Sequence, residues 1–265
     1  MAANQELIQD INYHKILETI IRNDSISRAD LSKELGLTKA TIGSQVQKLL
    51  SEGLVEEIGS SKTTKGRRPI MLRFRGPAAH VLSFDIGPDQ INLLLCDLLG
   101  QHCHFRQLTW NQDRETLLPL LCQIIDGILA NPRQEDQKLI GICLGIHGVV
   151  RENEILFTPY YNLEHAPLLE QRFSLPVFIE NEANLSALGE KTFSHRAENL
   201  VNISVHSGVG LGIIMDGRLY TGAGGFAGEF GHTIVEPGGR PCPCGNQGCI
   251  EQYASETAIL RKYKK

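Results

Sequence analysis

The segment Cys242-Pro-Cys-Gly-Asn-Gln-Gly-Cys249 decides how the second half of this 265-residue chain folds, and His232 precedes it by ten residues. Three thiolates and one imidazole at this spacing form a ligand set for a tetrahedral Zn²⁺ ion. Because protein ligands fill all four positions, we expect the ion to be structural rather than catalytic. The alternative is three unbound thiols in a surface loop, which is less favoured because exposed thiols at this density oxidise.

The composition indicates a globular protein of one large domain or two ordinary ones. Hydrophobic residues make up 42% of the chain and charged residues 21%, as in typical folded domains. No stretch approaches the roughly 18 apolar residues of a membrane helix, and the polar N-terminus lacks a secretory signal. We therefore expect a cytoplasmic protein with no membrane partner, in which clustered cysteines favour a metal over disulfides.

After Gly76-Pro77 the apolar pattern alternates between strands and helices. Strands are predicted at residues 80–85, 91–97, 101–109, 138–144, 176–180, 200–205 and 211–215, and helices at 115–129 and 183–193. A glycine-rich turn, Ser207-Gly-Val-Gly210, separates the last two strands. This alternation predicts an α/β domain over residues 77–265.

Residues 1–76 have a different pattern, in which predicted helices are followed by two short strands. Ser27 and Thr38 are typical N-caps for the second and third helices, and Gly36 is typical of a helix end. This spacing predicts a helix-turn-helix whose third helix enters the major groove of DNA. The DNA-contact candidates on that helix share short polar or cationic side chains; they are Lys39, Thr41, Ser44 and Gln45.

A polar, basic loop at residues 59–69 separates the two short strands and is a candidate wing. Its DNA-contact candidates are Lys65, Arg67 and Arg68. Residues 1–80 hold 12 Lys and Arg against 9 Asp and Glu, although the whole chain has a net charge of −4. Three-helix units and basic loops also occur in proteins that never touch DNA. Their order and spacing together favour DNA binding here.

Several motifs identify a family. They are Ser27-Arg-Ala-Asp-Leu31, Gly66-Arg-Arg-Pro-Ile-Met-Leu72, Val177-Phe-Ile-Glu-Asn-Glu-Ala-Asn184, Gly189-Glu-Lys191, Gly224-Gly-Phe-Ala-Gly-Glu-Phe-Gly-His232 and the cysteine segment followed by Glu251. In these motifs the chain resembles the ROK family (repressors, open reading frames, kinases), and within it the xylose repressors of Gram-positive bacteria. The resemblance covers nearly the whole chain.

The resemblance implies a winged helix-turn-helix followed by an actin-like, sugar-kinase-type α/β domain with a ribonuclease H-like fold. The first lobe of that domain is expected at about residues 77–180 and the second at about 181–265. Because family members run on well beyond the last residue of this sequence, we expect the second lobe to be truncated. The resemblance also implies that His232, Cys242, Cys244 and Cys249 hold structural Zn²⁺.

A sugar site is a further implication of the resemblance. By position in the family motifs, the residues that grip sugar hydroxyls are Asn181, Glu182, Glu229, His232 and Glu251. Carboxylates and an amide suit this role because a hydroxyl group both donates and accepts hydrogen bonds. His232 would bind Zn²⁺ through one ring nitrogen and a hydroxyl through the other.

The nearest alternative function is an active ROK-type sugar kinase that phosphorylates a hexose with ATP. Kinases of the family carry an Asp-x-Gly-Gly-Thr phosphate motif, where this chain has Asp85-Ile-Gly-Pro-Asp-Gln90. Pro88 removes a backbone donor and Asp89 adds a negative charge. Glu182 also replaces the aspartate that is the catalytic base in those kinases, which displaces the carboxylate by one methylene. We therefore predict that the protein is not an enzyme.

Together these features predict a repressor that leaves operator DNA when xylose or another monosaccharide binds. A homodimer or higher homo-oligomer is expected, because helix-turn-helix proteins commonly read two half-sites. A constitutive repressor with a vestigial sugar domain is a second alternative. The pattern Leu144-Gly-Ile-His-Gly148 departs from the Pro-Gly usual in the family at that point, so a different pocket wall is expected.

Overall fold

The computed structural model describes residues 2–60, 69–110, 116–130, 138–161, 163, 167–195 and 197–263. The chain divides into two compact units, one of Met1–His80 with Cys96–His102 and one of Val81–Leu95 with Cys103–Lys265. The domain boundary at residue 76 and the division into lobes stay predictions. Among the described helices, none combines the length and the apolar character needed to cross a bilayer.

The first unit begins with helices α1 (Ala2–Arg22), α2 (Arg28–Leu35) and α3 (Lys39–Ser51). The predicted caps are present, since the hydroxyls of Ser27 and Thr38 each accept a backbone N–H hydrogen bond at 3.2 Å. Gly36 follows α2 with φ +66°, a conformation that favours glycine. Helix α1 is the longest of the three, with 21 residues.

Strands β1 (Ile26–Ser27), β2 (Val55–Ser60) and β3 (Ile70–Phe74) form an antiparallel sheet in the order β1-β3-β2. Strands β2 and β3 are the two short strands predicted from the sequence, whereas β1 is too short to show an alternating pattern. The sheet and helices share a core that includes Ile16, Ile20, Leu31, Ile42, Val46, Leu49 and Leu72. This arrangement is a winged helix-turn-helix.

The second unit is built on a sheet of β4 (His80–Ile86), β5 (Gln90–Asp97), β6 (His104–Thr109), β7 (Leu139–Ile146) and β10 (Val177–Asn181). Its strand order is β10-β7-β4-β5-β6, with β7 and β10 parallel and β5 and β6 antiparallel. Helix α4 (Leu117–Leu129) packs Leu117, Leu121 and Ile125 into the core of this sheet. The predicted α/β fold is therefore confirmed.

Several elements of this unit lie outside the sequence predictions. They include the hairpin β8 (Val149–Arg151) and β9 (Glu154–Phe157), and the short helices α5 (Pro167–Phe173), α7 (Glu251–Ala254) and α8 (Glu256–Tyr263). The helix predicted at 183–193 is α6 (Glu182–Gly189), which continues as a π-helical turn over Glu190–His195.

A second sheet supports α6 and has the order β11 (Leu200–Val205), β12 (Val209–Met215) and β13 (Arg218–Leu219). Gly210 and Gly212 of β12 lie against Ala183 of α6, and a Cβ atom at Gly212 would overlap the Ala183 carbonyl oxygen. The two glycines therefore let the first turn of α6 approach the sheet closely, which fixes the position of Glu182.

The turn between β5 and β6 belongs to the first unit, where Leu98 and Leu99 pack against the core of the helix-turn-helix. Asp97 organises this turn and is 1% exposed. Its carboxylate accepts hydrogen bonds from the backbone N–H of Leu99 at 2.9 Å and of Gln101 at 2.8 Å, and lies 2.9 Å from Nδ1 of His102. The Leu98 N–H donates to the Gly76 carbonyl at 3.2 Å.

We predict that Asp97→Asn lowers the free energy of unfolding at neutral pH by about 1–3 kcal/mol. The reason is that the backbone N–H groups of Leu99 and Gln101 lose an ionised hydrogen-bond acceptor. Burial alone raises the pKa of Asp97, but the hydrogen bonds from His102, Gln101 and Leu99 outweigh it and lower the pKa. The stabilisation is therefore present above the ordinary carboxyl pKa and is lost as the pH falls through the lowered value.

Urea unfolding followed by circular dichroism at several pH values measures this effect. The matched control is Asp126→Asn, which removes an exposed carboxylate paired with Arg172 and should change stability little. An Asp97→Asn protein as stable as the parent at neutral pH would contradict the assigned role.

Candidate functional site

A folded loop after the 3₁₀-helix Glu229–His232 brings the cysteines together. Its two sides pair through Val235 N–H to Gly248 carbonyl at 2.8 Å and Gly248 N–H to Arg240 carbonyl at 2.8 Å. Gly248 has φ +86°, and a Cβ atom there would overlap the carbonyl oxygen of Glu236. Glycine is therefore required at this position for the loop to close.

The ligand atoms of His232, Cys242, Cys244 and Cys249 all lie within 4.8 Å of one another. Sγ of Cys244 is 3.7 Å from Sγ of Cys249, and Sγ of Cys242 is 3.5 Å from Nδ1 of His232. A tetrahedral ion with bonds of about 2.3 Å to sulfur and about 2.0 Å to nitrogen separates its ligand atoms by about 3.5–3.8 Å. The donor set and these two separations therefore fit a tetrahedral metal ion.

The imidazole of His232 has one nitrogen toward the cysteines and the other toward a carboxylate. Its Nε2 atom is 3.6 Å from Oε2 of Glu229. Oε1 of Glu251 is 3.7 Å from Nδ1 of His232 and 2.9 Å from Sγ of Cys242. The folding of the cysteine loop therefore positions two acidic side chains beside it.

A cavity of about 520 Å³ opens beside the cysteine loop. The carboxylates of Glu182, Glu229 and Glu251 line it together with His232. Apolar surface comes from Val149, Phe157, Pro159, Val209 and Phe226. A cavity with convergent acceptors and apolar walls suits a small, uncharged ligand that carries several hydroxyl groups.

The cost of burying the negative charge of these carboxylates is only partly offset by neighbouring imidazoles. Burial raises the pKa of Glu182, and the His147 imidazole opposes this shift. Burial also raises the pKa of Glu229, opposed by His232 and reinforced by the carboxylates of Glu182 and Glu251. Since these acids already repel one another, a phosphate group would be disfavoured in this cavity, whereas hydroxyl donors would be favoured.

Asn181 is not among the residues that line the cavity. Its Oδ1 atom accepts hydrogen bonds from the N–H groups of Ala183 at 2.9 Å and Asn184 at 3.2 Å, so it caps α6. Its Nδ2 atom donates to the carbonyl of Gly148 at 2.9 Å. The side chain of Asn181 thus holds the start of α6, where Glu182 stands, against the turn after β7.

Sequence reasoning missed other residues of the cavity wall, namely His147, Tyr160, Ser207 and Asn246. They come from separate turns, so no local spacing connects them. The departure of the Leu144–Gly148 segment from the family pattern was the signal available for His147. No comparable signal marked Tyr160 or Asn246.

The segment Asp85–Gln90 spans the end of β4, the turn at residues 87–89 and the start of β5. The Gly87 N–H donates to the Gln90 carbonyl at 2.8 Å, and the Trp110 N–H donates to the Asp89 carbonyl at 3.1 Å. Pro88 and Asp89 line a second cavity of about 710 Å³, which Ser207 and Glu251 also border. A phosphate there would find no N–H at Pro88 and would meet the carboxylates of Asp89 and Glu251, and the guanidinium groups of Arg240 and Arg261 also line this cavity.

Helix α3 presents part of the predicted DNA-contact set. Lys39 and Ser44 are exposed, while Thr41 is half-buried with its hydroxyl 2.9 Å from that of Thr38. Gln45 differs from the expectation: it is 9% exposed, because its position flanks the core face of the helix. The exposed glutamine is Gln47, three residues after Ser44 on the solvent side. Lys65, Arg67 and Arg68 lie outside the described residues.

Comparison with known proteins places this geometry in a family. Residues 81–265 match the family model described as ROK family, and residues 9–56 match a model described as winged helix-turn-helix DNA-binding. The chain belongs to the ROK family. The family assignment made from the motifs is thereby confirmed.

Named relatives include repressors. The xylose repressor of Bacillus subtilis is 39% identical over 267 residues, which is 98% of this chain and 69% of that protein. A crystal structure of a ROK family transcriptional regulator, a homolog of the E. coli MLC protein, matches this chain with a TM-score of 0.81 at 30% identity. The match covers 97% of this chain and 67% of the chain in that structure.

Kinases of the family resemble a smaller part of the chain. The structure of a ROK family glucokinase from Streptomyces griseus, in complex with glucose and AMPPNP, has a TM-score of 0.61 at 33% identity. The match covers 69% of this chain and 59% of the kinase. The likeness to the repressor structure thus extends over more of the chain.

We predict that Cys244→Ala abolishes metal binding by the intact protein. Cys244 is exposed, so the truncation leaves no core cavity, and a lower melting temperature would report the lost ion. Metal content is measured by elemental analysis after dialysis, and loop order by limited proteolysis. The control is Cys103→Ala, an exposed cysteine outside the cluster. Purified parent protein that contains no stoichiometric metal would contradict the prediction.

Proposed function

We propose that this protein is a sugar-responsive transcriptional repressor. The observation that carries the proposal is the union, in one chain, of a winged helix-turn-helix with a ROK domain whose cavity presents the carboxylates of Glu182, Glu229 and Glu251. The first part suits DNA and the second suits a polyhydroxylated ligand. A protein that contains both can couple the two binding events.

The proposed ligand is a monosaccharide, with D-xylose as the first candidate because of the named xylose repressors among the relatives. Glu182, Glu229, Glu251 and His232 would bind its hydroxyls directly. Asn181 would act by holding α6 in place rather than by touching the sugar, since its side-chain atoms already bond the backbone.

The proposed metal is Zn²⁺, held by His232, Cys242, Cys244 and Cys249. With all ligand positions filled by protein, the ion would stabilise the loop and take no part in a reaction. Through Nδ1 it would also fix the orientation of the His232 ring, which leaves Nε2 for the cavity.

The proposed DNA contacts are Lys39, Thr41, Ser44 and Gln47 on α3, with Lys65, Arg67 and Arg68 from the wing. Gln47 replaces Gln45 because it is exposed on the same side as Ser44. We also propose a homodimer or higher homo-oligomer that reads two operator half-sites, acting in the cytoplasm where the DNA is. The sugar would release the protein from the operator if it binds more tightly to the conformation that cannot bind the operator.

Operator binding in the presence of sugars tests the function as a whole. Fluorescence anisotropy with DNA from upstream of the protein's own gene should show specific binding that D-xylose weakens by about 5- to 150-fold, the usual range of allosteric coupling. D-glucose and N-acetylglucosamine serve as comparison sugars. Glu182→Gln should bind the same DNA but respond less to sugar, because a neutral amide replaces a hydrogen-bond acceptor in the cavity.

Two other results would favour the alternatives. DNA binding that no sugar changes, with no heat of sugar binding in calorimetry, would indicate a constitutive repressor with a vestigial domain. Phosphorylation of a hexose or pentose by ATP would indicate a kinase. That result would contradict the prediction, made from Pro88 and Asp89, that the protein is not an enzyme.

We predict different effects for two substitutions on α3. Gln47→Ala should cost about 1–3 kcal/mol of specific binding and relax selectivity at one base pair, as expected for a base contact. Lys39→Ala should weaken binding to all sequences and reduce the salt-dependence slope by about 1, as expected for a phosphate contact. Anisotropy at several salt concentrations distinguishes them. Lys262→Ala, an exposed lysine on α8, is the control; equal losses for all three would refute the assignment.

A further inference from the structure

His147 lies in the cavity wall at the turn between β7 and β8. It differs from the acids around it because it can donate a hydrogen bond. Glu182, Glu229 and Glu251 can only accept hydrogen bonds when ionised, whereas an imidazole can donate. A sugar hydroxyl that donates to a carboxylate still has lone pairs that accept. A donor beside Glu182 is therefore the complement that a bound hydroxyl needs.

The backbone around His147 is held by a buried tyrosine. The His147 N–H donates to Oη of Tyr161 at 2.9 Å, and Tyr161 Oη donates to the Ile86 carbonyl at 2.9 Å. Tyr161 is 2% exposed, so this bridge ties the ends of β4 and β7 together without water. The hydroxyl of Tyr161 thus fixes the backbone position of His147 in the cavity wall.

The ring of His147 packs edge-to-face on Tyr160, with centroids 6.2 Å apart and planes at 80°. Within the part of the chain that the structure describes, neither ring nitrogen has a hydrogen-bond partner. The imidazole is also close enough to Glu182 to oppose the rise in the pKa of that carboxyl. The ring is therefore oriented by packing, while its polar atoms are available to a ligand.

We propose that His147 is a specificity-determining residue of the sugar cavity, which donates a hydrogen bond to a sugar hydroxyl that also contacts Glu182. This inference rests on the proposed function. It predicts that His147 selects sugars by one hydroxyl position, while Glu229, Glu251 and His232 bind the hydroxyls nearest the cysteine loop.

The test compares His147→Phe with the parent protein by calorimetry. Phenylalanine preserves a ring against Tyr160 but removes both nitrogens, so a packing role would survive it. We expect the Kd for D-xylose to rise about 5- to 150-fold, the loss typical of a hydrogen bond in a buried site. His147→Gln, which restores a donor, should recover part of the affinity. Metal content should match that of the parent.

The monodeoxy derivatives of D-xylose identify the hydroxyl. One of the 2-, 3- and 4-deoxy sugars should lose less affinity relative to D-xylose in His147→Phe than in the parent, because the variant has already lost the His147 bond to that hydroxyl while Glu182 still contacts it. Equal weakening of every sugar in the variant, or no weakening of any, would overturn the inference while leaving the proposed function intact. A parent protein that binds none of D-xylose, D-glucose and N-acetylglucosamine would instead overturn the proposed function, and the inference with it.

Discussion

The imidazole of His232 links the two chemical regions of the second unit. Its Nδ1 atom lies with the sulfur atoms of the cysteine loop, and its Nε2 atom lies 3.6 Å from the Glu229 carboxylate. An imidazole ring is rigid, so the orientation that satisfies one nitrogen also sets the direction of the other. The geometry of the cavity therefore depends on the closure of the cysteine loop, which also contributes Pro243, Cys244 and Asn246 to the cavity wall.

The contrast between the two cavities explains why this ROK domain suits binding rather than phosphoryl transfer. One cavity gathers the carboxylates of Glu182, Glu229 and Glu251, which accept hydrogen bonds from hydroxyls. The other has Pro88 and Asp89 at the turn where a phosphate would need backbone donors. The first arrangement suits a polyol, whereas the second lacks a backbone donor at Pro88 and has the Asp89 carboxylate at the same turn.

Much of the fold was predictable because its signals are local. The caps at Ser27 and Thr38 and the alternating strands are set by residues a few positions apart, and the structure has them where the sequence indicated. Elements without a periodic signal were missed, including the two-residue strand β1 and the hairpin β8–β9. The packing of Leu98 and Leu99 into the helix-turn-helix core was also beyond prediction, since those partners lie far apart in the chain.

For the site, the spacing within the sequence predicted that His232 and the three cysteines would lie together, and the family motifs predicted which acids would lie near them. Only the tertiary structure placed His147 and Tyr160 in the same cavity wall as Glu182. It also showed that the Asn181 side chain caps α6. On α3, it showed that Gln45 is buried while Gln47 is exposed to solvent. The physical reason is that a side chain's environment is set by the elements packed around it. Those elements come from distant segments that no local pattern connects.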